Sequence, residues 1–346
     1  MTLAARSAEP GGPLGLERFA HRPLCHRPTP IEPMPRLSAR LGGPALFVKR
    51  DDCTGLAGGG NKTRKLEFLV GEALERGADT LVTQGAVQSN HVRQSAAAAA
   101  KVGLACHALL ERRVPERTGE YERTGNVLLD RMFGATLEFR PAGLDMNAEA
   151  AAAAHALETE GRRPYLIPGG GSNAVGALGY AACAEEIVRH EREAGVRFDR
   201  LVVATGSTGT QAGLVAGLHA LGSSLPVLGV SVRQPRERQA AAVLALARAT
   251  LEKLGAPDID EGAILVDDGH VGEGYGRPAS STLEAIELAA REEGLLLDPV
   301  YSGKGLAGLV GAVRAGAFAP DENVLFLHTG GSAALFAYED ALTGTA

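Results

Sequence analysis

Residues 55–65 read Gly55-Leu-Ala-Gly-Gly-Gly-Asn-Lys-Thr-Arg-Lys65, one position away from a loop that wraps nucleotide phosphates. Such a loop needs its last glycine directly before the lysine, so that the backbone can close on the phosphate. Asn61 intervenes. No strand feeds the loop and no second strand ending in aspartate follows at a useful distance, so the nucleotide reading fails. What remains is Lys62 at the start of a helical pattern, with Asn61 in the cap position. An amine desolvated at the positive end of a helix has its ammonium form disfavoured, which leaves free base for imine chemistry. Taken alone, Lys62 reads as an ordinary helix-start lysine, and Lys65 is expected to point elsewhere or to solvent. The rest of the chain decides.

Outward from this stretch, short apolar runs alternate with longer helical patterns, the signature of βαβ units and a mainly parallel sheet. The runs at 46–49, 80–84, 106–111, 136–140, 165–167, 200–204, 226–232 and 323–328 read as strands. Helical spacing covers 62–76, 90–102, 147–160, 177–193, 210–221, 237–254, 280–292 and 304–315. Asn90, like Asn61, stands where an N-cap belongs. The break Pro168-Gly-Gly-Gly-Ser-Asn173 marks a crossing between domains, and 346 residues exceed what one core usually supports. Residues up to about Pro13 read as a flexible tail.

With 45% apolar residues, 45 glycines and a formal charge of −6, the chain reads as a globular α/β enzyme. Neither a nucleic-acid nor an anionic-membrane surface is expected, since both need clustered Lys and Arg. No apolar run approaches the roughly 20 residues of a membrane span, and no export signal is legible. Cys25, Cys53, Cys106 and Cys183 lack CxxC spacing; they read as reduced cytoplasmic thiols, and no metal is expected.

A second glycine-rich turn, Gly206-Ser-Thr-Gly-Thr-Gln-Ala-Gly213, has its glycines at G-x-x-G-x-x-x-G, not the G-x-G-x-x-G of dinucleotide sites. It does follow a strand and open a helix, the geometry in which free backbone N–H groups capture a single phosphate. Ser207, Thr208 and Thr210 add hydroxyl donors; the bland reading is a tight turn with a hydroxyl-rich cap. One phosphate cup, no second phosphate motif and a lysine at a separate helix start together suggest a monophosphate carrying an aldehyde. That is pyridoxal 5′-phosphate joined to Lys62 as a Schiff base.

The segments VKRDDCTGLAGGGNKTRKLEFL, TQGAVQSNHVRQSAAAAA, IPGGGSNAVGALGY, ATGSTGTQAGL, GYGRP, LDPVYSGKG and HTGGSAALFAY resemble one family. It is the pyridoxal-phosphate-dependent group of fold type II that contains 1-aminocyclopropane-1-carboxylate (ACC) deaminase, D-cysteine desulfhydrase and L-cysteate sulfo-lyase. The resemblance runs from about Phe19 to Tyr338. It implies a tryptophan-synthase-β-like α/β fold: two three-layer αβα domains with mainly parallel sheets and a cleft between them. Residues 1–62 with 172–346 would form the larger, phosphate-binding domain and 63–171 the smaller; the assembly implied is a homodimer. Carried over by position, Lys62 would be the Schiff-base lysine and Asn90 would hydrogen-bond the cofactor's phenolic oxygen. Gln88, Ser89 and His91 would face the substrate carboxylate, Gly206, Ser207, Thr208, Gly209 and Thr210 would hold the phosphate, and Tyr275 and Tyr301 would flank the substrate as proton-handling groups.

Two positions bear on the reaction. Deaminases of this family carry Glu after the DPVY tyrosine and Leu after the last strand's histidine, where this chain has Ser302 and Thr329. That departure resembles the sulfur-lyase branch. A Thr329 hydroxyl donating to an unprotonated ring nitrogen leaves a mild electron sink, sufficient for β-elimination. Lys62 is the expected base for an L-substrate, with Tyr275 or Tyr301 open for the opposite face. A sulfonate pocket would need extra cations, for which Arg112, Arg113 and Arg233 are candidates. The closest resemblance is to L-cysteate sulfo-lyase, with D-cysteine desulfhydrase as the alternative, and the partner in either case is a small amino acid.

Overall fold

The computed structural model describes residues 12–343; apart from Gly12 and Pro13, the tail expected over 1–13 lies outside them. In chain order the elements are β1 (Ile31–Pro33), α1 (Pro35–Leu41), β2 (Ala45–Arg50), α2 (Lys62–Glu75), β3 (Thr80–Ala86), α3 (Asn90–Val102), β4 (Ala105–Glu111) and α4 (Gly125–Met132). There follow β5 (Thr136–Arg140), α5 (Met146–Thr159), β6 (Pro164–Leu166), α6 (Ala174–Ala194), β7 (Arg200–Thr205), α7 (Gly209–Ala220), β8 (Val227–Ser231) and α8 (Arg236–Leu254). The chain closes with β9 (Leu265–Asp267), α9 (Ser280–Glu293), α10 (Ser302–Arg314), β10 (Asn323–His328) and α11 (Glu339–Thr343).

One sheet has the order β1-β2-β10-β7-β8-β9 and the other β5-β4-β3-β6. Every pairing is parallel except β1 with β2. The central strands are buried on both faces, as helix-covered parallel strands must be, and so they read as continuous apolar runs. Phe326 of β10, for example, lies opposite Val48 and Val202 and is itself buried. Helices α6, α7 and α8 cover one face of the larger sheet; α1, α9 and α10 cover the other. The glycine break at 168–173 joins β6 of the smaller sheet to α6.

Elements α1, α4, β1 and β9 carry no expectation from the sequence. Strand β1 is three residues that follow Pro30 and end in Pro33, tolerated only because it is an edge. Pro35 then opens α1 at a position where its missing N–H costs nothing.

Helix α2 is locked by two contacts of different kinds. A Cβ at Gly179 of α6 would stand 2.2 Å from the Arg64 carbonyl oxygen, so only glycine lets the helices approach this closely. Beneath it, buried Arg64 donates to Asp51 and Glu186 at 2.8 Å each, Lys49 donates to Glu186 at 2.7 Å, and Tyr180 to Asp51 at 2.7 Å. Burial raises the Glu186 carboxyl, but Arg64 and Lys49 outweigh it and hold the group at about 2, against 4.5 ordinarily. A folded pKa below the unfolded one stabilises at pH above the unfolded value and loses that contribution as pH falls through the folded value, here from about 4.5 to 2, worth about 3 kcal/mol. Glu186→Gln is therefore expected to be less stable at pH 7 and to lose less stability than the wild type between pH 5 and 3 by urea denaturation. Equal losses would contradict the assignment.

Candidate active site

Parallel strands β2, β3, β7, β8 and β10 deliver their carboxyl-end loops to one cleft of about 410 Å³, the side on which open α/β sheets hold ligands. Lys62 is the first residue of α2 and its Nζ donates to Ser207 Oγ at 3.3 Å, which ties the two glycine-rich stretches together across 145 positions of sequence. Burial lowers the Lys62 amine to about 8. Asn61 stands at the N-cap position but makes no cap; its amide donates to Thr210 Oγ1 at 2.9 Å instead.

Lys65 does not point to solvent. It is fully buried, and its Nζ donates to Gly170 O at 3.1 Å and Ser172 Oγ at 3.3 Å. Burial, reinforced by the Lys62 charge, drives its amine well below the usual lysine range. The i,i+3 spacing of Lys62 and Lys65 on one helix face is the signal that finds it.

The turn between β7 and α7 is strained where an anion would sit. Thr208 holds φ +65°, in the region that favours glycine, while its Oγ1 donates to Ser207 O at 2.7 Å. Gly206, Ser207, Thr208 and Thr210 line the cleft. Gly209 does not; a Cβ there would come within 2.8 Å of Ser172 Oγ and 3.0 Å of Lys65 Nζ, so its role is close packing behind the turn. Free first-turn N–H groups, hydroxyls and a buried amine together suit one phosphate.

Across the cleft, Ser89 and not Asn90 caps α3, accepting from Val92 N at 3.2 Å. Asn90 is the first helical residue and lines the cleft; its Oδ1 accepts from Asn126 Nδ2 at 3.0 Å, which leaves its Nδ2 as the free donor. Gln88 lies outside the lining: its amide is taken up by Tyr121 O at 2.6 Å, Thr124 O at 3.0 Å and Asn126 N at 2.9 Å. It braces Asn126, a residue no sequence pattern singles out.

His91 lines the cleft in neutral form. Thr83 Oγ1 gives its proton to Ile167 O at 2.9 Å, so the 2.8 Å contact with His91 Nε2 has the ring as donor and leaves Nδ1 an acceptor. Burial, then the charges of Lys62 and Lys65, keeps it from protonating. An acceptor lone pair is a poor direct partner for a carboxylate and suits a group that still carries a proton.

Tyr275 and Tyr301 meet hydroxyl to hydroxyl at 2.7 Å on the cleft wall. Burial raises both phenols, Tyr301 well above the usual range, although the Arg113 guanidinium stacked 5.3 Å from the Tyr275 ring opposes this. Protonated phenols donate hydrogen bonds and are poor bases. Arg113 also pairs with Glu111. Arg112 lies outside the lining and pairs with Glu122 at 2.6 Å. Arg233 and Arg238 stand at the cleft mouth, and no carboxylate pairs with either among the described residues. Thr329 lines the cleft, with its carbonyl accepting from Asn61 N at 3.0 Å. Ser302 does not: it is buried, donating to Asp298 Oδ1 at 2.6 Å in the cap of α10. No Asp or Glu lines the cleft, and no cluster of three or more His, Cys, Asp or Glu among the described residues could hold a metal ion.

This cleft pairs a buried amine of lowered pKa with a strained hydroxyl-rich anion cup, and it fits a phosphorylated aldehyde. The fold is that of the fold-type-II α/β cofactor enzymes. The chain belongs to the family of pyridoxal-phosphate-dependent enzymes, which it matches over residues 23–330. It is 48% identical over 324 residues to a D-cysteine desulfhydrase of Serratia proteamaculans, covering 93% of this chain and 97% of that one. To a D-cysteine desulfhydrase of Klebsiella pneumoniae it is 47% identical over 327 residues, covering 94% and 98%. A solved structure of an ACC deaminase homologue superposes with a TM-score of 0.87 at 37% identity, over 96% of this chain and 98% of that one. An O-ureido-L-serine synthase shares the fold, with a TM-score of 0.63 at 20% identity over 96% of each chain.

Proposed function

We propose that the protein is a carbon–sulfur lyase that converts D-cysteine and water to pyruvate, ammonia and hydrogen sulfide. The observation that carries this reading is the near-full-length likeness to two D-cysteine desulfhydrases. It moves D-cysteine ahead of the L-cysteate substrate that the sequence resemblance puts first. The division into a larger body, 1–62 with 172–346, and a smaller one, 63–171, is retained as part of the proposal; the four strands of the smaller sheet fall within the second segment.

When bound, pyridoxal phosphate supplies an electron sink for the substrate's α-carbon. The chain supplies the rest. Gly206, Ser207, Thr208 and Thr210 would hold the cofactor's phosphate, backed by Lys65, while the Asn90 amide and the Thr329 hydroxyl would supply hydrogen bonds to its ring substituents and ring nitrogen. The start of α3 at Ser89 receives the substrate carboxylate. Lys62, at about 8, is the group whose pKa suits taking the α-proton near neutral pH; for a D-substrate this requires the amino acid to bind turned over relative to an L-substrate, with its α-hydrogen toward Lys62. Tyr301 and Tyr275, held protonated by burial, donate to the departing sulfur and do not serve as bases.

A second reading, sulfite release from L-cysteate, is supported by the cleft's own charge, since Lys62, Arg113, Arg233 and Arg238 line it with no carboxylate among them. Assaying sulfide from D-cysteine and sulfite from L-cysteate on one holoprotein separates the two. We expect kcat/KM for D-cysteine to be higher by about tenfold or more, a gap of about 1.4 kcal/mol in transition-state binding. The reverse order installs the second reading, with Arg233→Ala then selectively removing sulfite release; turnover of neither sinks both. As to setting, we take the enzyme to act in the cytoplasm as a homodimer. The exposed Leu128 and Met132 of α4, together with the exposed Phe336 of the 332–337 segment that contacts α4, offer an apolar surface for a second copy.

A further inference from the structure

The two loops that bring Tyr275 and Arg233 to the cleft converge on one amine. Lys304, in the first turn of α10, has no exposed surface. Its Nζ donates to the carbonyl oxygens of Val271 and Gly274 at 2.7 Å each and reaches that of Val232 at 3.5 Å. Gly274 directly precedes Tyr275, and Val232 directly precedes Arg233.

Apart from this amine, the Tyr275 loop is tied mainly at its two ends, where Asp268 accepts from Arg236 N at 2.9 Å and Arg277 donates to Glu116 at 2.8 Å. It contains no helix or strand, and its own backbone bonds are long: Val271 to Asp268 and Gly274 to Val271 at 3.3 Å, Arg277 to Gly274 at 3.4 Å. Gly272, Gly274 and Gly276 all take positive φ, at 62°, 125° and 72°, so the segment is built from the residues with the most conformations to lose. Beyond Gly276, the Tyr338 hydroxyl donates to its carbonyl at 3.0 Å. Ammonium-to-carbonyl bonds of 2.7 Å are shorter and charge-assisted, the strongest ties the loop makes before Tyr275. At the other end of the same arrangement, Tyr301 is the residue that opens α10, three positions before Lys304. One side chain thus fixes both members of the 2.7 Å Tyr275–Tyr301 pair in a single frame.

Stability alone does not account for this amine. It is buried with no carboxylate hydrogen-bonded to it, and burying a charge is costly unless the bonds it makes are needed. A methionine would avoid that cost but would leave the Val271 and Gly274 carbonyls without this donor.

We propose that Lys304 is a positioning residue that clamps the 271–274 loop to α10 and so sets the Tyr275 hydroxyl against Tyr301 in the cleft. The functional half of this rests on the lyase reading of the two tyrosines; the clamp itself does not. The test uses the cofactor-loaded protein and its Lys304→Met, Tyr275→Phe and doubly substituted variants. Amide hydrogen exchange over 269–276 is expected to quicken about tenfold or more in Lys304→Met, with helices α9 and α10 unchanged. Turnover should fall about tenfold or more, the scale on which small misplacements act, while the visible cofactor band stays. In the Tyr275→Phe background the same substitution should cost less than about twofold, because the two act through one contact. Unchanged exchange, or a loss undiminished in the Tyr275→Phe background, overturns the proposal. Should Lys304→Met not fold, Lys304→Gln, which keeps two N–H donors, is read in its place and should show the same signs at smaller size. An unmutated protein with a cofactor band but no lyase activity would fail the lyase reading, and the exchange result would still judge the clamp.

Discussion

Lys62→Ala is expected to abolish turnover and the cofactor's absorbance near the visible edge together, with kcat/KM down by about 10⁴-fold or more. Two contributions vanish at once: the covalent hold on the cofactor and the amine best tuned to take the α-proton. The fold should survive, since among the described residues the Lys62 side chain is tied only to Ser207 and to the neighbouring Lys65. Lys65 is the amine nearest at hand, but it is anchored to Gly170 and Ser172 behind the phosphate turn and is not free to substitute. Arginine at position 62 should rescue nothing, because a guanidinium stays protonated and cannot form the bond. Retention of more than about a tenth of wild-type turnover in Lys62→Ala would remove Lys62 from the chemistry.

Tyr301→Phe should produce the second-largest loss, about 10² to 10⁴ in kcat, with the cofactor band intact. Burial keeps this phenol protonated far beyond neutral pH, and its 2.7 Å bond to Tyr275 orients it. A donor so placed matters most as the sulfur leaves with its electron pair, so the substitution should weigh on kcat more than on KM. A substrate whose leaving group needs no proton, such as β-chloroalanine, should recover most of the lost rate. An equal loss on both substrates would mean that the phenol acts elsewhere, and a loss under about threefold would mean that it does not act in the reaction.

The parts of this site carried by short contiguous patterns are legible in the sequence. Lys62 stands out because a glycine run ends in a helix start, and the phosphate turn because a hydroxyl-rich G-x-x-G follows an apolar strand. Which way a side chain faces is harder to read. Gln88 sits in the same short motif as Ser89 and Asn90, yet its amide turns to the 121–126 segment, because one step along a strand–helix junction redirects the side chain. Ser302 fails in the same manner: next to Tyr301 in sequence, it belongs to the Asp298 cap and not to the cleft. His91 is in place, but its protonation state depends on Thr83 and Ile167, partners that only the folded chain supplies. Elements β1 and β9, three residues each, offer no period to detect, although β6, equally short, is legible as an apolar run.

The chemistry of this site turns on where the cofactor is attached. Reducing the holoprotein with borohydride, digesting it and sequencing the labelled peptide by mass spectrometry locates that bond directly. We predict one reduced pyridoxal phosphate per chain, on the lysine that follows Asn61. Label on Lys65, on any other lysine, or on none would contradict the assignment of this cleft as the active site.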